Sequence, residues 1–379
     1  FNKSYEPDQL EQDIDIAREL KKRNIDVEMT SGNVLIEPWD LYNKQQKPFQ
    51  VFTHFWKAVI ERPFSAPCKA PSSFFGYKEQ YTESVDDLGL PNGEIPKHWT
   101  PGELGAKSKL RHFLKYVIAD YNVTRDLPSC VGTSLLSPHL HFGEISVRTI
   151  MHDIANLFEG DFLQLLKNPR KDQLGIECFA REIGWREFAV HLLYHFPHTQ
   201  KKPLREKFEE FPWIEDKNAL IAWQKGMTGY PIVDAGMRQL AQTGWMHNRV
   251  RMIVGSFLVK HLLISWQKGE AWFWDMLFDA DLASNILGWQ WVQGCGADAA
   301  PYFRIFNPVL QGEKFDKDGK YIRQFIPELQ DFPNSFIHKP WLAPKDLLQT
   351  TQYPPPIVNH DFARNRALQA FEKIKNSNF

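Results

Sequence analysis

The chain has 379 residues, which is enough to bury a large core and to form two domains. Its 45 Lys and Arg nearly balance 46 Asp and Glu, so the composition excludes a uniformly basic nucleic-acid-binding protein and allows only a local basic patch. The four cysteines form no C-x-x-C pair, and no apolar run reaches membrane-spanning length. We therefore predict no metal site, no membrane span and a cytoplasmic location.

The first part of the chain predicts a helix followed by short strands. Asp8 can cap a helix that runs to about Arg23, because apolar residues recur at helical spacing. Residues 25–29 and 34–36 lie on either side of a turn and predict two strands. A helix followed by a strand is typical of α/β domains, which need several such units. Since the chain begins with Phe1 rather than Met, we expect residues 1–58 to be the C-terminal part of an α/β domain whose start is absent.

Residues 59–99 predict a linker between domains. Five prolines interrupt every periodic pattern there, namely Pro63, Pro67, Pro71, Pro91 and Pro96. Helix signals dominate residues 100–379. The first is a capping box formed by Thr100 and Glu103, with Pro101 at the first helical position.

A cluster of hydroxyl side chains precedes two further helix starts, which we predict at Ser137 and Ser146. Thr133, Ser134 and Ser137 stand together in this cluster. Hydroxyls and free N–H groups at helix N-termini can bind an anion, and the same groups also serve as ordinary caps. Both interpretations stay open from the residues alone.

Two segments mix charged and aromatic side chains with apolar ones. In residues 177–197, Glu182, Trp185 and Arg186 can share one helix face, either as a site or as a surface ion pair over a core tryptophan. In residues 244–252, His247 is expected to be structural, because no second His or Cys stands at ligand spacing. Four other side chains of that segment cannot all belong to a core: Asn248, Arg249, Arg251 and Met252.

Residues 278–308 carry the densest set of candidate site residues. Carboxylates, an amide and two indoles fall within thirteen residues, at Asp279, Asp281, Asn285, Trp289 and Trp291. A buried helix with core tryptophans is the alternative. The run from Gly294 to Ala299 imitates a dinucleotide fingerprint, but no strand precedes it and Pro301 follows it.

Five ordered motifs together resemble the photolyase and cryptochrome family, with the closest likeness to bacterial class I cyclobutane pyrimidine dimer photolyases. Besides residues 278–308, the motifs are GTSLLSPHLHFGEIS (132–146), REIGWREF (181–188), TGYPIVDAGMRQL (228–240) and GWMHNRVRM (244–252). The resemblance implies a mainly α fold, in which an all-helical FAD-binding catalytic domain (100–379) follows the remnant of an α/β antenna domain (1–58) and an interdomain linker (59–99). It further implies light-driven repair of UV-damaged DNA by a monomer. The antenna chromophore, folate or deazaflavin, is left undecided.

The resemblance implies an FAD site built from residues of four segments. Arg251 would pair with Asp279, Asp281 would accept hydrogen bonds from flavin or ribose groups, and Asn285 would face flavin N5. The full set of FAD-binding residues so implied is Tyr121, Thr133, Ser134, Leu135, Leu136, Ser137, Glu182, Trp185, Arg186, Arg251, Asp279, Ala280, Asp281 and Asn285.

The same resemblance implies a pocket for the damaged DNA and a chain of tryptophans. Glu182 would hydrogen-bond the carbonyl edge of a flipped dimer, and with Asn285 it is a predicted catalytic residue. The residues implied to bind the lesion and its DNA are Trp185, Asn248, Arg249, Met252, Trp291 and Gln311. Trp289, Trp266 and Trp213 would carry electrons from the protein surface to oxidised flavin.

The chain departs from the family pattern at three positions. Ile286 and Leu287 replace residues that are commonly small or polar, and Ala189 replaces a frequent aromatic. Two other functions are therefore weighed against dimer repair. A cryptochrome-type blue-light receptor without repair activity is the main alternative. Repair of the 6-4 photoproduct is disfavoured, because His247 alone does not supply the pair of histidines that such relatives carry.

Overall fold

The structure is a computed structural model that describes residues 1–69, 71–73, 84–89, 99–158, 160–300 and 303–376. Its α-helices are α1 (Pro7–Lys22), α2 (Phe52–Val59), α3 (Glu103–Tyr116), α4 (Tyr121–Thr124), α5 (Ser137–His141), α6 (Val147–Ala155), α7 (Phe162–Lys167), α8 (Leu174–His195), α9 (Lys217–Gln224), α10 (Pro231–Thr243), α11 (Asn248–Ser256), α12 (Trp266–Met276), α13 (Leu282–Gln293), α14 (Pro308–Phe315), α15 (Lys320–Phe325), α16 (Lys345–Leu348) and α17 (His360–Asn376). The predicted mainly α fold is confirmed. No helix among these is long and apolar enough to cross a membrane.

The N-terminal segment forms the predicted helix but not the predicted strands. Helix α1 begins after Glu6, whose side chain forms no cap, so the assignment of Asp8 as the cap is wrong. Among the described residues around the predicted strands, β-pairing is limited to one isolated bridge between Asn2 and Thr30. A strand needs a neighbour along its length to be stable. The backbone of residues 34–36 is instead attached to α8, where Leu35 donates its amide to Glu187.

The start of the helical region also differs from its prediction. Helix α3 begins at Glu103 after Gly102, which has a φ of 92° and forms no side-chain cap, so the capping box and the helical position of Pro101 are wrong. The amide of Gly102 is held instead by the carboxylate of Glu144, at 2.6 Å. The predicted starts at Ser137 and Ser146 are confirmed, and Ser146 accepts a hydrogen bond from the amide of Thr149.

Most of the predicted linker cannot be compared with the structure. Its residues 70, 74–83 and 90–98, with Pro91 and Pro96, lie outside the described residues. The predicted domain boundary after residue 58 falls at the penultimate residue of α2. The division into three segments stays a prediction.

Helices α8 and α13 form the centre of the molecule and carry most of the candidate site. Helix α8 packs with α2, α3 and α6 around Phe113, Ile183 and Phe188, all of them buried. Helices α10 to α13 build a second core around Val254 and Trp289. Because α8 and α13 also pack on each other, side chains from both cores meet between them.

Helix α11 continues into one π-helical turn, Phe257–His261. Such turns contain one more residue per turn than an α-helix and often occur at functional sites. Lys260 is buried in this turn, donates to the carbonyl oxygen of Arg304 and lies 4.2 Å from the ring centre of Phe303. His261 contacts His360 of α17 at 2.8 Å. The turn therefore attaches two distant segments to the core.

Three buried histidines are expected to make the fold sensitive to acid. Burial lowers the pKa of His191 to about 3, of His247 to about 4 and of His261 to about 3. An unfolded histidine takes up a proton below about pH 6.5, so between pH 6.5 and pH 4 the unfolded state binds more protons than the folded state. Each of these histidines therefore lowers the free energy of unfolding as the pH falls through this window, by up to about 2 kcal/mol at pH 5.

The contribution of one histidine can be isolated by urea denaturation at pH 5 and pH 7. Burial raises the pKa of Glu187 to about 7, which opposes the histidines over the same window, so we compare variants instead of absolute stabilities. His261→Gln, which retains hydrogen-bonding groups toward His360, should lose less stability on acidification than the wild type. An equal loss in both proteins would contradict the assignment.

Candidate functional site

The hydroxyl-rich loop before α5 contains an unusual backbone conformation. Leu135 has a φ of 53°, a left-handed value that is uncommon for a bulky residue and occurs often where a chain binds a ligand. Ser134 accepts a hydrogen bond from the amide of Leu136, and Ser137 accepts one from the indole of Trp245. These contacts place the loop next to the connection between α10 and α11. The ligand role of Thr133, Ser134 and Ser137 stays a prediction.

The predicted ion pair between Arg251 and Asp279 is confirmed. The Nη2 of Arg251 donates to both carboxylate oxygens, at 2.9 and 2.8 Å. Asp279 is buried, so the pair is partly shielded from water. Asp281 caps α13 by accepting the amide of Ser284 with one oxygen. Its second oxygen has no hydrogen-bond donor among the described residues and is available to a ligand.

The amide of Asn285 has a defined orientation. Its Nδ2 donates to the backbone oxygen and to the carboxylate of Glu270, at 3.1 and 3.0 Å. Both amide protons are therefore directed toward α12, and the carbonyl oxygen is left to accept a hydrogen bond from another group. Burial raises the pKa of the Glu270 carboxyl, and the hydrogen bond from Asn285 opposes this effect.

Glu182 has a different partner from the one that sequence spacing predicted. It accepts a hydrogen bond from Nη1 of Arg125, at 2.5 Å, and Arg125 also contacts the sulfur of Cys178. Arg186 donates to the backbone oxygen of Asn33 and lies 3.5 Å from Glu187, so the surface ion pair with Glu182, one of the two alternatives left open by helical spacing, does not form. The reason is that α4 lies against α8 and brings a second arginine to Glu182.

Arg249 is held by a carboxylate and an aromatic ring. Its Nη2 donates to both oxygens of Asp126, each at 2.8 Å, and its Nε lies 3.2 Å from the first. The guanidinium carbon lies 4.6 Å from the ring centre of Phe315, one turn after Gln311 on α14. Met252 also contacts Arg249, at 3.7 Å. Three of the predicted DNA-binding residues thus belong to α11, where Arg249 contacts Met252 and Asn248 is exposed at the first position, and Gln311 lies one turn before Phe315 on α14.

The two tryptophans predicted to receive the lesion are connected through a loop residue. Trp185 stacks on Phe52 with ring centres 3.7 Å apart, so one face of its indole is covered. The indole of Trp291 donates to the backbone oxygen of Asp298, whose carboxylate accepts the amide of Phe52. Asp298 has a left-handed φ of 50°. This loop residue therefore links the surroundings of both indoles.

The three tryptophans predicted to carry electrons extend from the core outward. Trp289 and Trp266 are buried, and Trp213 is partly exposed. Trp266 begins α12, and the ring of Trp289 packs on Gly269 of that helix. The amide of Ile214 donates to Leu263, which brings the chain at Trp213 close to the start of α12. Trp223 forms a second neighbour of Trp289, with ring centres 6.2 Å apart, but it is fully buried.

The three departures from the family pattern lie together. Ala189 of α8 and Ile286 of α13 are both buried in one apolar cluster, and Leu287 packs against it. The same three residues line a small cavity between α8 and α13. The three departures therefore share one region of the interface between α8 and α13.

Several residues of the site were not found from the sequence. Their partners belong to other segments: Arg125 contacts Glu182, Asp126 contacts Arg249, Glu270 contacts Asn285, and Phe52 stacks on Trp185. The only sequence signal for the first two is an Arg–Asp dipeptide shortly before the hydroxyl cluster. No local spacing rule identifies its partners.

Two family profiles and several known proteins match this chain over much of its length. The profile described as FAD binding domain of DNA photolyase matches residues 179–373, and the profile described as DNA photolyase matches residues 1–72. A deoxyribodipyrimidine photo-lyase of Agrobacterium fabrum is 46% identical over 390 residues, which cover 99% of this chain and 79% of the relative. Cryptochrome-2 of Arabidopsis thaliana is 38% identical over 398 residues, which cover 99% of this chain and 64% of the relative.

A solved structure gives the same result at the level of the fold. The bacterial class III photolyase from Agrobacterium tumefaciens superimposes with a TM-score of 0.91 at 45% identity, over 99% of this chain and 79% of that one.

Proposed function

Because the chain belongs to the family of DNA photolyases and cryptochromes and contains the family's FAD-binding domain, we propose that it repairs UV-damaged DNA by splitting cyclobutane pyrimidine dimers in light. One observation carries the proposal beyond the family. Glu182 and Arg249 are connected by the Arg125–Asp126 dipeptide and are only partly buried. A carboxyl group and a guanidinium are suited to bind a polar lesion and its phosphates. A pocket of this kind suits a substrate that enters from solvent.

The described residues fit FAD as the cofactor. Trp289 has a buried indole N–H without a hydrogen-bond partner among the described residues, and such donors are usually satisfied. Asp281 has an available carboxylate oxygen, and the hydroxyls of the loop before α5 are suited to a pyrophosphate. When bound and reduced, FAD supplies the light-excited electron that dimer splitting requires.

The polar residues near α13 are proposed to hold the cofactor in one orientation. Glu270 directs the amide protons of Asn285 away, so the carbonyl oxygen of Asn285 can accept a hydrogen bond from flavin N5. Arg251 is fixed by Asp279 and adds a positive charge beside this position. Neither role requires movement of the helices.

The lesion is proposed to leave the duplex and lie between aromatic side chains. Flipping costs a few kcal/mol and less for a damaged base, while stacking on an aromatic side chain returns about 1–3 kcal/mol per base. Phe52 covers one face of Trp185, so its other face is the one proposed to receive a base. Trp291 would provide the second aromatic contact, and Glu182 would hydrogen-bond the carbonyl edge of the dimer.

Several finer assignments are part of the proposal. The sequence motifs predict bacterial class I, whereas the likeness to a class III photolyase at 45% identity supports class III. The proposed reaction does not depend on this choice, because it rests on residues of the pocket. We further propose that residues 1–58 belong to an antenna domain, that the protein acts as a monomer in the cytoplasm, and that the antenna chromophore is folate, deazaflavin or absent.

A cryptochrome-type receptor is the second candidate. It is supported by the identity of 38% to cryptochrome-2 of Arabidopsis thaliana, which is close to the values for several photo-lyases. The two candidates differ in one measurable property, because only the first acts on damaged DNA.

Repair of a defined lesion tests the proposal. The purified protein with reduced FAD is mixed with an oligonucleotide that carries one thymine dimer, and restored thymines are measured after blue light and after an equal time in the dark. We expect restoration only in light. Equal restoration in the dark would contradict light-driven repair, and no restoration by protein that retains reducible FAD would favour the receptor.

A further inference from the structure

A chain of four alternating charges crosses the proposed lesion pocket. Glu182 on α8 contacts Arg125 at 2.5 Å, Arg125 lies 3.9 Å from Asp126, and Asp126 contacts Arg249 on α11 at 2.8 Å. The two central members are adjacent residues at the end of the short helix α4. One dipeptide therefore fixes a carboxylate on one helix and a guanidinium on another.

The geometry of Asp126 defines which edge of Arg249 remains available. The carboxylate engages Nε and Nη2, which form one edge of the planar guanidinium. On the opposite side, the one contact of Nη1 within the described part of the chain is a long one to the sulfur of Met252, at 3.7 Å. The ring of Phe315 lies against the guanidinium and limits its rotation. Arg249 is thus held by one edge and offers the other.

Both side chains of this ion pair remain partly exposed. The side chain of Arg249 retains 20% of its exposure, and that of Asp126 retains 35%. A carboxylate beside an arginine also opposes the approach of any phosphate, since the carboxylate and the phosphate are both negative. A ligand must therefore match the available edge to gain from Arg249, while general attraction to the DNA backbone is reduced.

We propose that Asp126 is a positioning residue that makes Arg249 selective for DNA containing the lesion. Asp126 orients the available edge of Arg249 toward a phosphate or carbonyl of the damaged strand and weakens binding to undamaged backbone. Through Arg125 it also fixes Glu182 relative to that contact. This inference rests on the proposed function, and it assigns to Asp126 a role in discrimination without contact to the dimer.

Binding in the dark to damaged and undamaged duplexes tests the inference. We compare dissociation constants for the same oligonucleotide with and without one thymine dimer, using protein that contains FAD. Asp126→Asn removes the charge and part of the bidentate contact at almost the same size. We expect undamaged DNA to bind more tightly and the preference for damaged DNA to fall about tenfold, which is about 1.4 kcal/mol.

Two variants separate this role from a general effect of charge. Asp120→Asn removes a carboxylate that is exposed on the surface six residues earlier, and it should leave the preference unchanged. Asp126→Glu keeps the charge and should restore part of the preference.

In steady-state repair, Asp126→Asn should raise KM for the damaged oligonucleotide more than it lowers kcat. A merely structural defect would instead lower FAD content and the melting temperature.

The outcomes distinguish this inference from the proposed function. If the wild type shows no preference for damaged DNA, the proposed function fails. If the wild type shows a preference that Asp126→Asn retains, or that Asp120→Asn loses equally, only the inference is overturned. Should Asp126→Asn fail to fold, Arg249→Lys tests the same geometry, because lysine keeps the charge but not the bidentate edge. Its preference should fall to a similar extent, and a retained preference overturns the inference.

Discussion

Replacement of Glu182 by alanine is expected to slow dimer splitting on the order of 100-fold, with little loss of FAD. Arg125 occupies Oε1 of Glu182, so a proton on Oε2 would donate a hydrogen bond to a carbonyl oxygen of the dimer; this bond strengthens as negative charge develops on that oxygen, so its removal affects the splitting step more than binding. Arg125 holds Glu182 at 2.5 Å and thereby limits the positions that the carboxyl group can adopt. Single-turnover splitting of a bound dimer, together with the flavin-to-protein absorbance ratio, measures both effects.

Two controls separate the carboxyl group from its partner. Glu182→Gln retains a hydrogen-bond donor and should lose less activity than Glu182→Ala. Cys178→Ala removes the other contact of the same Arg125 guanidinium group and should leave splitting close to the wild-type rate. Equal loss of splitting and FAD in Glu182→Ala would refute the role of Glu182, since it would indicate damage to the cofactor site.

Replacement of Trp213 by phenylalanine is expected to abolish photoreduction of oxidised FAD by an external donor. Trp213 is the partly exposed member of the predicted chain, and phenylalanine is a far poorer electron donor than tryptophan. The variant should still repair dimers after chemical reduction, because the chain only prepares the cofactor. Absorbance changes of the flavin during illumination with a reductant, followed by the repair assay, measure the two properties.

Trp223 provides a matched control for this prediction. Its ring centre lies 6.2 Å from that of Trp289, yet the side chain is fully buried and has no direct access to a donor in solution. Trp223→Phe should therefore retain photoreduction. The opposite pattern, in which Trp223→Phe is blocked and Trp213→Phe is not, would mean that electrons enter through α9 instead.

One pairing within the candidate site was predicted correctly from the sequence, and the partners of other candidate residues were not. Family motifs predicted the pairing of Arg251 with Asp279, and the structure contains it. Helical spacing alone suggested Arg186 beside Glu182, and this was wrong because Arg125, 57 residues away in the chain, occupies that place. A rule based on spacing within one helix cannot include a helix that packs on it.

The predicted strands failed for a similar reason. The residue types at 25–29 and 34–36 favour extended chain, but a strand is stable only beside another strand, and the described residues nearby provide one isolated bridge. Conversely, Ala189 and Ile286 looked like separate departures from a pattern. The structure places both in one buried cluster between α8 and α13, which their separation in the sequence does not reveal.

The π-helical turn at the end of α11 separates two sets of contacts made by one continuous run of helix. Each residue of an α-helix turns the chain by about 100°, and the wider π turn rotates it less per residue, so the side chains of the turn take directions that a regular α-helix would not give them. Before the turn, Arg249 and Arg251 face Asp126 and Asp279; within it, His261 faces His360 of the last helix. Replacing the turn by regular α-helix would leave the first set in place and rotate His261 away from its partner. The turn thus allows the contacts of Arg249 and Arg251 and the contact with the C-terminal helix to be set independently.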